Sequence, residues 1–215
     1  MTYLEAVNSV LRRLREDEVV SVSANPYSKL VGELVNDAKR IVEDAWDWSS
    51  LRNTITVTTT EDIFSYNLLG TNTSFKIIDV INDTSNYFME VASVSEMNNY
   101  FLNQDPPKSS PNTYSWNGFN ADGNAIVDIY PVPNGVYDLR FNIVQRQDGF
   151  TQDDDVFNVP YQPVVQLAQG FAMEERGETG GQTGSAMLQL GRSTLSDAIA
   201  FDAARYPSET VWREV

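Results

Sequence analysis

Two stretches of helical periodicity enclose a long stretch in which polar and apolar residues alternate, and this interruption most limits how the chain can fold. From Thr2 to about Leu51 the apolar residues recur every three or four positions. Thr2 and Glu5 have the T-x-x-E spacing of a capping box, in which each side chain satisfies the other's free backbone N–H. Leu4, Val7, Leu11 and Leu14 share one face, and Arg12, Arg13 and Arg15 fall in the last turn, where cations suit the helix dipole. Asn25 and Pro26 break the pattern. From Ser28 a longer helix follows, with its core stripe read as Leu30, Leu34, Ala38, Ile41, Ala45 and Trp48.

Helical spacing returns near Pro160 and Pro163, which suit a helix start, with Val164, Leu167, Ala168, Phe171 and Ala172 as a stripe ending at Gly177. Residues 178–184 read as a Gly-rich connection. Residues 185–205 read as a last helix that turns Leu188, Leu195, Ala198, Ile199 and Ala203 to the core and stops before Pro207. A pair of helices cannot bury its apolar stripe alone, so the two pairs are expected to pack as a four-helix bundle.

The middle of the chain must then be an insertion. Ile55 to Thr58, Phe64 to Leu68 and Leu139 to Ile143 alternate with period two, the mark of half-buried strands. Residues 75–81, 87–94, 113–116 and 125–130 are further strand candidates, and 96–102 a short helix. Asp122-Gly123 and Asn134-Gly135 supply positive φ for tight hairpins. Residues 103–112, with Pro106, Pro107 and Pro111, read as an exposed loop. The expected architecture is α+β: a helical bundle from residues 1–52 and 156–206, an antiparallel β sandwich or barrel of six or seven strands at 53–150, and a tail at 207–215.

Composition removes much chemistry. The 215 residues include no Cys and no His, so there is no disulfide, thiolate, imidazole base or usual zinc site. The chain holds 15 Lys and Arg against 30 Asp and Glu, a net charge of −15, which opposes tracking along a phosphate backbone. No apolar run approaches the roughly 20 residues that cross a bilayer, and Met1 to Glu5 has no signal-peptide character, so cytoplasmic synthesis without membrane contact is expected.

The remaining chemical candidates have plainer readings. Asp153, Asp154 and Asp155 lack cation-loop spacing and read as a solvated loop, and Asn120 to Asn124 as a hairpin turn. Glu174, Glu175 and Glu178, the residue types of a glycosidase pair, lie along one helix end and read as a solvated face. Trp46 and Trp48 read as core or interdomain aromatics. Trp116, in a Tyr/Trp/Asn-rich segment, is a core residue or a sugar platform. Trp212 lies in a polar tail beyond Pro207 and suits docking on another chain or folding back on its own bundle. No catalytic residue, metal or cofactor is expected.

The opening Leu4-Glu5-Ala6-Val7-Asn8-Ser9-Val10-Leu11 and the run from Ala38-Lys39-Arg40-Ile41-Val42 to Trp46-Asp47-Trp48 resemble the head-to-tail adaptor proteins of tailed bacteriophages, the tail tubular protein A group of T7-like podoviruses. Ile129 to Tyr137 is similar to a Pro-x-Pro-x-Gly-x-Tyr turn of such virion proteins, and Glu174 to Gly181 and Ala204 to Pro207 resemble adaptor C-terminal helices. The resemblance implies a non-enzymatic ring, usually of twelve subunits, beneath the portal protein. Such a ring lengthens the channel through which DNA passes without specific binding, and it carries the nozzle or next tail protein. It also implies a virion component of the phage neck, assembled in the host cytoplasm. On this reading Tyr206, Val211, Trp212, Arg213 and Val215 are candidate portal contacts, and Arg12, Arg13, Arg40 and Arg192 candidate contacts between subunits. The alternatives are a carbohydrate-binding or depolymerase component of the tail, suggested by the aromatic β segment, and another neck or head-completion protein.

Overall fold

The capping box forms as the sequence requires. Thr2 Oγ1 accepts the Glu5 N–H at 3.2 Å and Glu5 Oε2 accepts the Thr2 N–H at 2.8 Å, starting helix α1 (Tyr3–Arg13). A second box, between Asn25 and Ser28, starts α2 (Pro26–Asp44) two residues earlier than expected, because Pro26 fits the first helical position, where no N–H is needed. The computed structural model describes residues 1–68, 74–102, 105–177 and 182–205. They fall into two units, one of residues 1–51 and 147 onward, the other of Arg52–Arg146.

In the helical unit, α1, α2 and α5 (Gln182–Ala203) each pack on α4 (Tyr161–Glu175), which is therefore buried on almost every side from Pro163 to Gly170. The α4–α5 contact is made close by glycine. A Cβ at Gly191 would stand 2.9 Å from Leu167 Cδ2, and one at Gly170 would stand 2.6 Å from Leu188 Cδ2.

The core stripe of α2 keeps the expected Ala38 but otherwise lies one residue along from the expected one. Val31, Val35, Ala38 and Val42 are fully buried, while Ile41 is 44% exposed and Ala45 lies outside. Both phases satisfy helical spacing. The inward phase is the one that carries Lys39 and Glu43, which go inside because they find partners there. Lys39 Nζ lies 3.1 Å from Glu43 Oε1, donates to the carbonyls of Gln147 and Asp148, and sits 4.5 Å from the centre of the Phe150 ring. The segment after Arg146 thus belongs with the helices rather than with the strands, contrary to the expected boundary at 150. Its Phe150 packs on Tyr3 and Phe157.

The β unit is a sandwich of two four-stranded sheets. One has the order β1 (Arg52–Thr58), β8 (Asp138–Gln145), β3 (Phe75–Asn82), β4 (Tyr87–Phe88). The other has β2 (Ser65–Leu68), β7 (Ala125–Tyr130), β6 (Thr113–Phe119), β5 (Glu90–Val91). Alternation places Leu139, Phe141 and Ile143 of one sheet against Ala125, Val127 and Ile129 of the other, all fully buried. The short helix is α3 (Val94–Tyr100).

Three expectations change. The single strand over 87–94 is two short strands in different sheets, because the chain crosses between them at the buried Met89. Pairing is not wholly antiparallel, since β5 runs parallel to β6. Gly123 takes positive φ in the β6–β7 turn, but Gly135 does not: β7 and β8 lie in different sheets, so residues 131–137 form a crossing connection rather than a tight hairpin.

Candidate functional site

The acidic clusters are structural. Asp155 Oδ2 accepts the N–H groups of Thr151 and Gln152, which hold its carboxyl below the usual range, and Asp153 Oδ1 accepts the Val22 N–H. The Asp153 and Asp155 carbonyls accept the Leu4 and Tyr3 N–H groups, so this loop satisfies free donors at the start of α1. Asn120 Oδ1 closes the β6–β7 turn by accepting from Asp122 and Asn124. Glu174 receives a hydrogen bond from Ser185 at 3.4 Å, Glu175 is exposed, and Glu178 lies outside the described residues. Among the described residues no group of three acidic side chains is placed to hold a metal ion. Beside the acidic loop, Tyr3 is pushed up to about 12, first by burial and then by Glu33, Asp153 and Asp155.

The candidate arginines are spread over three helices. Arg12 pairs with Glu18 at 2.9 Å within the chain, Arg13 donates to Gln169 on α4 at 3.4 Å, and Arg40 and Arg192 are exposed on α2 and α5. Tyr206, Val211, Trp212, Arg213 and Val215 lie outside the described residues.

Of the tryptophans, Trp48 is core, 1% exposed, and donates to the Val42 carbonyl. Trp46 is 38% exposed and donates to Asp202 Oδ2 at 3.2 Å. Asp202 also accepts from the Ser49 N–H and hydroxyl, the latter at 2.7 Å, and so fastens the end of α5 to residues 46–49. Its burial alone would raise its pKa, but the hydrogen bonds from Ser49 and Trp46 and the charge of Arg205 outweigh this and lower it. The sequence reading passed over Asp202, although an acid in the last turn of a helix opposes the dipole and is itself a signal of a specific partner. It also passed over Lys39 and Glu43, whose i, i+4 spacing was visible.

Both units expose apolar side chains among their charged ones. On the helical unit, Leu30 and Leu34 are half-buried on α2 beside exposed Ile41, and Leu190 and Phe201 stand out on α5 at 48% and 68% exposure. On the β unit, Phe75, Ile77, Ile78, Val91, Tyr114, Trp116 and Phe119 line a groove of about 450 Å³, with no carboxylate among its described lining residues. Trp116, 48% exposed, meets Phe119 edge-on. No described helix is long and apolar enough to cross a membrane. Exposed apolar patches of this kind suit association with other proteins.

No curated protein matches the chain. The family model for the SU10 adaptor protein matches residues 1–211, nearly the whole sequence and both units of the fold. The chain belongs to the SU10 adaptor protein family and hence to the bacteriophage adaptor proteins.

Proposed function

We propose that this protein is a non-catalytic adaptor that forms a ring, of about twelve subunits as the resemblance implies, between the portal and the tail of a phage. The observation that carries the reading is the family match across both units. The outward apolar faces of α2 and α5 support lateral packing of helical units, the four helices of each subunit acting as one bundle with Arg13, Arg40 and Arg192 at its rim. Rim charges of this kind set register more than affinity. The β unit, with two basic and ten acidic residues between Asn53 and Leu139, is the part offered to a nozzle or next tail protein. The resemblance of the helical segments to the tail tubular protein A group of T7-like podoviruses supports the same role.

A subunit charge of −15 favours a channel along which DNA slides without binding, although salt screens the repulsion beyond about 8 Å. The residues at 206–215 are the proposed portal contact. No cofactor or turnover enters this role. Electron microscopy of the purified chain, alone and with its portal, tests it: rings seated on the portal are expected. A chain that stays monomeric and ignores the portal, or one that cleaves host polysaccharide until a single Asp or Glu is replaced, would overturn it.

A further inference from the structure

We propose that the buried charged side chains of the helical unit act as a two-point clamp on the chain where it passes to and from the β unit, and that opening either point creates a hinge there. The chain makes that passage twice, after Leu51 and after Arg146. Among the described residues the buried charged side chains are Lys39, Glu43 and Asp202, each 5% exposed or less. All three bind the segments that adjoin the two passages, although they lie on α2 and α5.

At the first passage Asp202 gathers three donors. Its Oδ2 accepts the Trp46 indole N–H at 3.2 Å and the Ser49 N–H at 3.1 Å, and its Oδ1 accepts the Ser49 hydroxyl at 2.7 Å. Trp48 and Leu51, 1% and 4% exposed, root the same segment in the core. At the second passage the ion pair takes both backbone groups of Gln147. Lys39 Nζ donates to its carbonyl at 3.1 Å and Glu43 Oε1 accepts its N–H at 3.3 Å, while Lys39 also donates to the Asp148 carbonyl. Asn36 repeats the pattern at Phe150, accepting its N–H at 2.9 Å and donating to its carbonyl at 3.1 Å.

Stability alone does not account for this burial of charge, since apolar residues of similar volume commonly do as well or better. What charge adds is position. Apolar contacts are non-directional, whereas hydrogen bonds to an ionised group are short, strong and aimed. Residues 46–48 and 146–150 lie outside helices and strands, where backbone groups lack ladder partners and need side chains instead. Neither passage has slack: β1 begins at Arg52, β8 ends at Gln145, and no Gly or Pro occurs over residues 46–58 or 138–148. The freedom of the β unit is therefore set by how firmly these two segments are held.

The clamp belongs to the single chain, so its test needs neither ring nor portal. Because the chain has no Cys, Ser196→Cys on α5 and Thr56→Cys on β1, both at exposed positions, take spin labels without background. The measurements are the label-to-label distance distribution, by pulsed electron paramagnetic resonance, and amide exchange. Asp202→Ala, and Lys39→Met combined with Glu43→Leu, should each widen the distribution about twofold or more and speed exchange, at Ser49 and at Gln147 respectively, about tenfold or more. Asp202→Asn and Glu43→Gln, which each keep one acceptor oxygen, should act in the same direction and keep both points testable if the harsher variants do not fold. Gly191→Val strains the α4–α5 contact at Leu167 instead, and should lower the melting temperature while leaving the width unchanged. The clamp is overturned if the parent distribution is already as wide as those of the clamp variants, or if either clamp point can be removed without widening it. Equal widening by Gly191→Val would overturn it too, since general loss of stability would then explain the motion.

Discussion

Replacing Lys39 by Met should be among the most damaging single changes in the helical unit. Lys39 is 2% exposed and Glu43 5%, so the substitution removes one partner of a buried ion pair, typically a loss of about 3–5 kcal/mol. The same change removes the donor from two backbone carbonyls, those of Gln147 at 3.1 Å and Asp148 at 2.9 Å. Replacing both partners by apolar residues, Lys39→Met with Glu43→Leu, removes both charges but still leaves those carbonyls and the Gln147 N–H, which donates to Glu43, without these partners. That residue of the loss is about 1–3 kcal/mol per group left wholly unsatisfied. The double variant should therefore stay less stable than the parent yet be more stable than the sum of the single losses implies. The assay is urea unfolding of the three variants followed by helical circular dichroism. A loss below about 1 kcal/mol for Lys39→Met, or strictly additive losses in the cycle, would refute a buried, mutually dependent pair.

Four further outcomes are expected. Gly191→Val should cost about 1–3 kcal/mol through overpacking against Leu167, measured as a fall in melting temperature, whereas an unchanged value would mean that α4 and α5 separate freely. The raised pKa of Tyr3 contributes stability that is complete below about pH 10 and is lost as pH rises toward about 12; the difference in stability between parent and Tyr3→Phe should shift by about 2–3 kcal/mol across that window. The lowered pKa of Asp202 acts in the opposite range, its contribution present above the ordinary carboxylate value of 3.8 and lost as pH falls through the lower folded value. Asp202→Asn should thus cost about 1–3 kcal/mol at neutral pH and lose less than the parent on acidification, as read by unfolding at pH 7 and pH 3. Deleting residues 208–215 should leave a folded subunit of nearly unchanged melting temperature that no longer binds the portal; normal binding refutes the docking role, and unfolding means that the tail packs on its own subunit.

Local signals carried much of this structure. The capping box at Thr2 and Glu5, the helix stop at Gly177, the β6–β7 turn at Gly123 and the inward faces of β7 and β8 are each decided by residues a few positions apart, so they were legible in the sequence. The order of helix pair, strand segment and helix pair, and the absence of His and Cys chemistry, were equally plain. Questions that join distant segments were not. The inward phase of α2 depends on carbonyls more than a hundred residues away meeting Lys39, and no local pattern separates that phase from its neighbour one residue over. The burial of Asp202 depends on Ser49 and Trp46, which only the fold brings to it. The same holds for the groove of the β unit. Phe75 and Ile78 read as ordinary strand residues, and only the packing of the two sheets brings them to one groove with Trp116 and Phe119. Periodicity reports which residues can share a face; which face is covered, and by what, is settled by packing between elements that the sequence keeps apart.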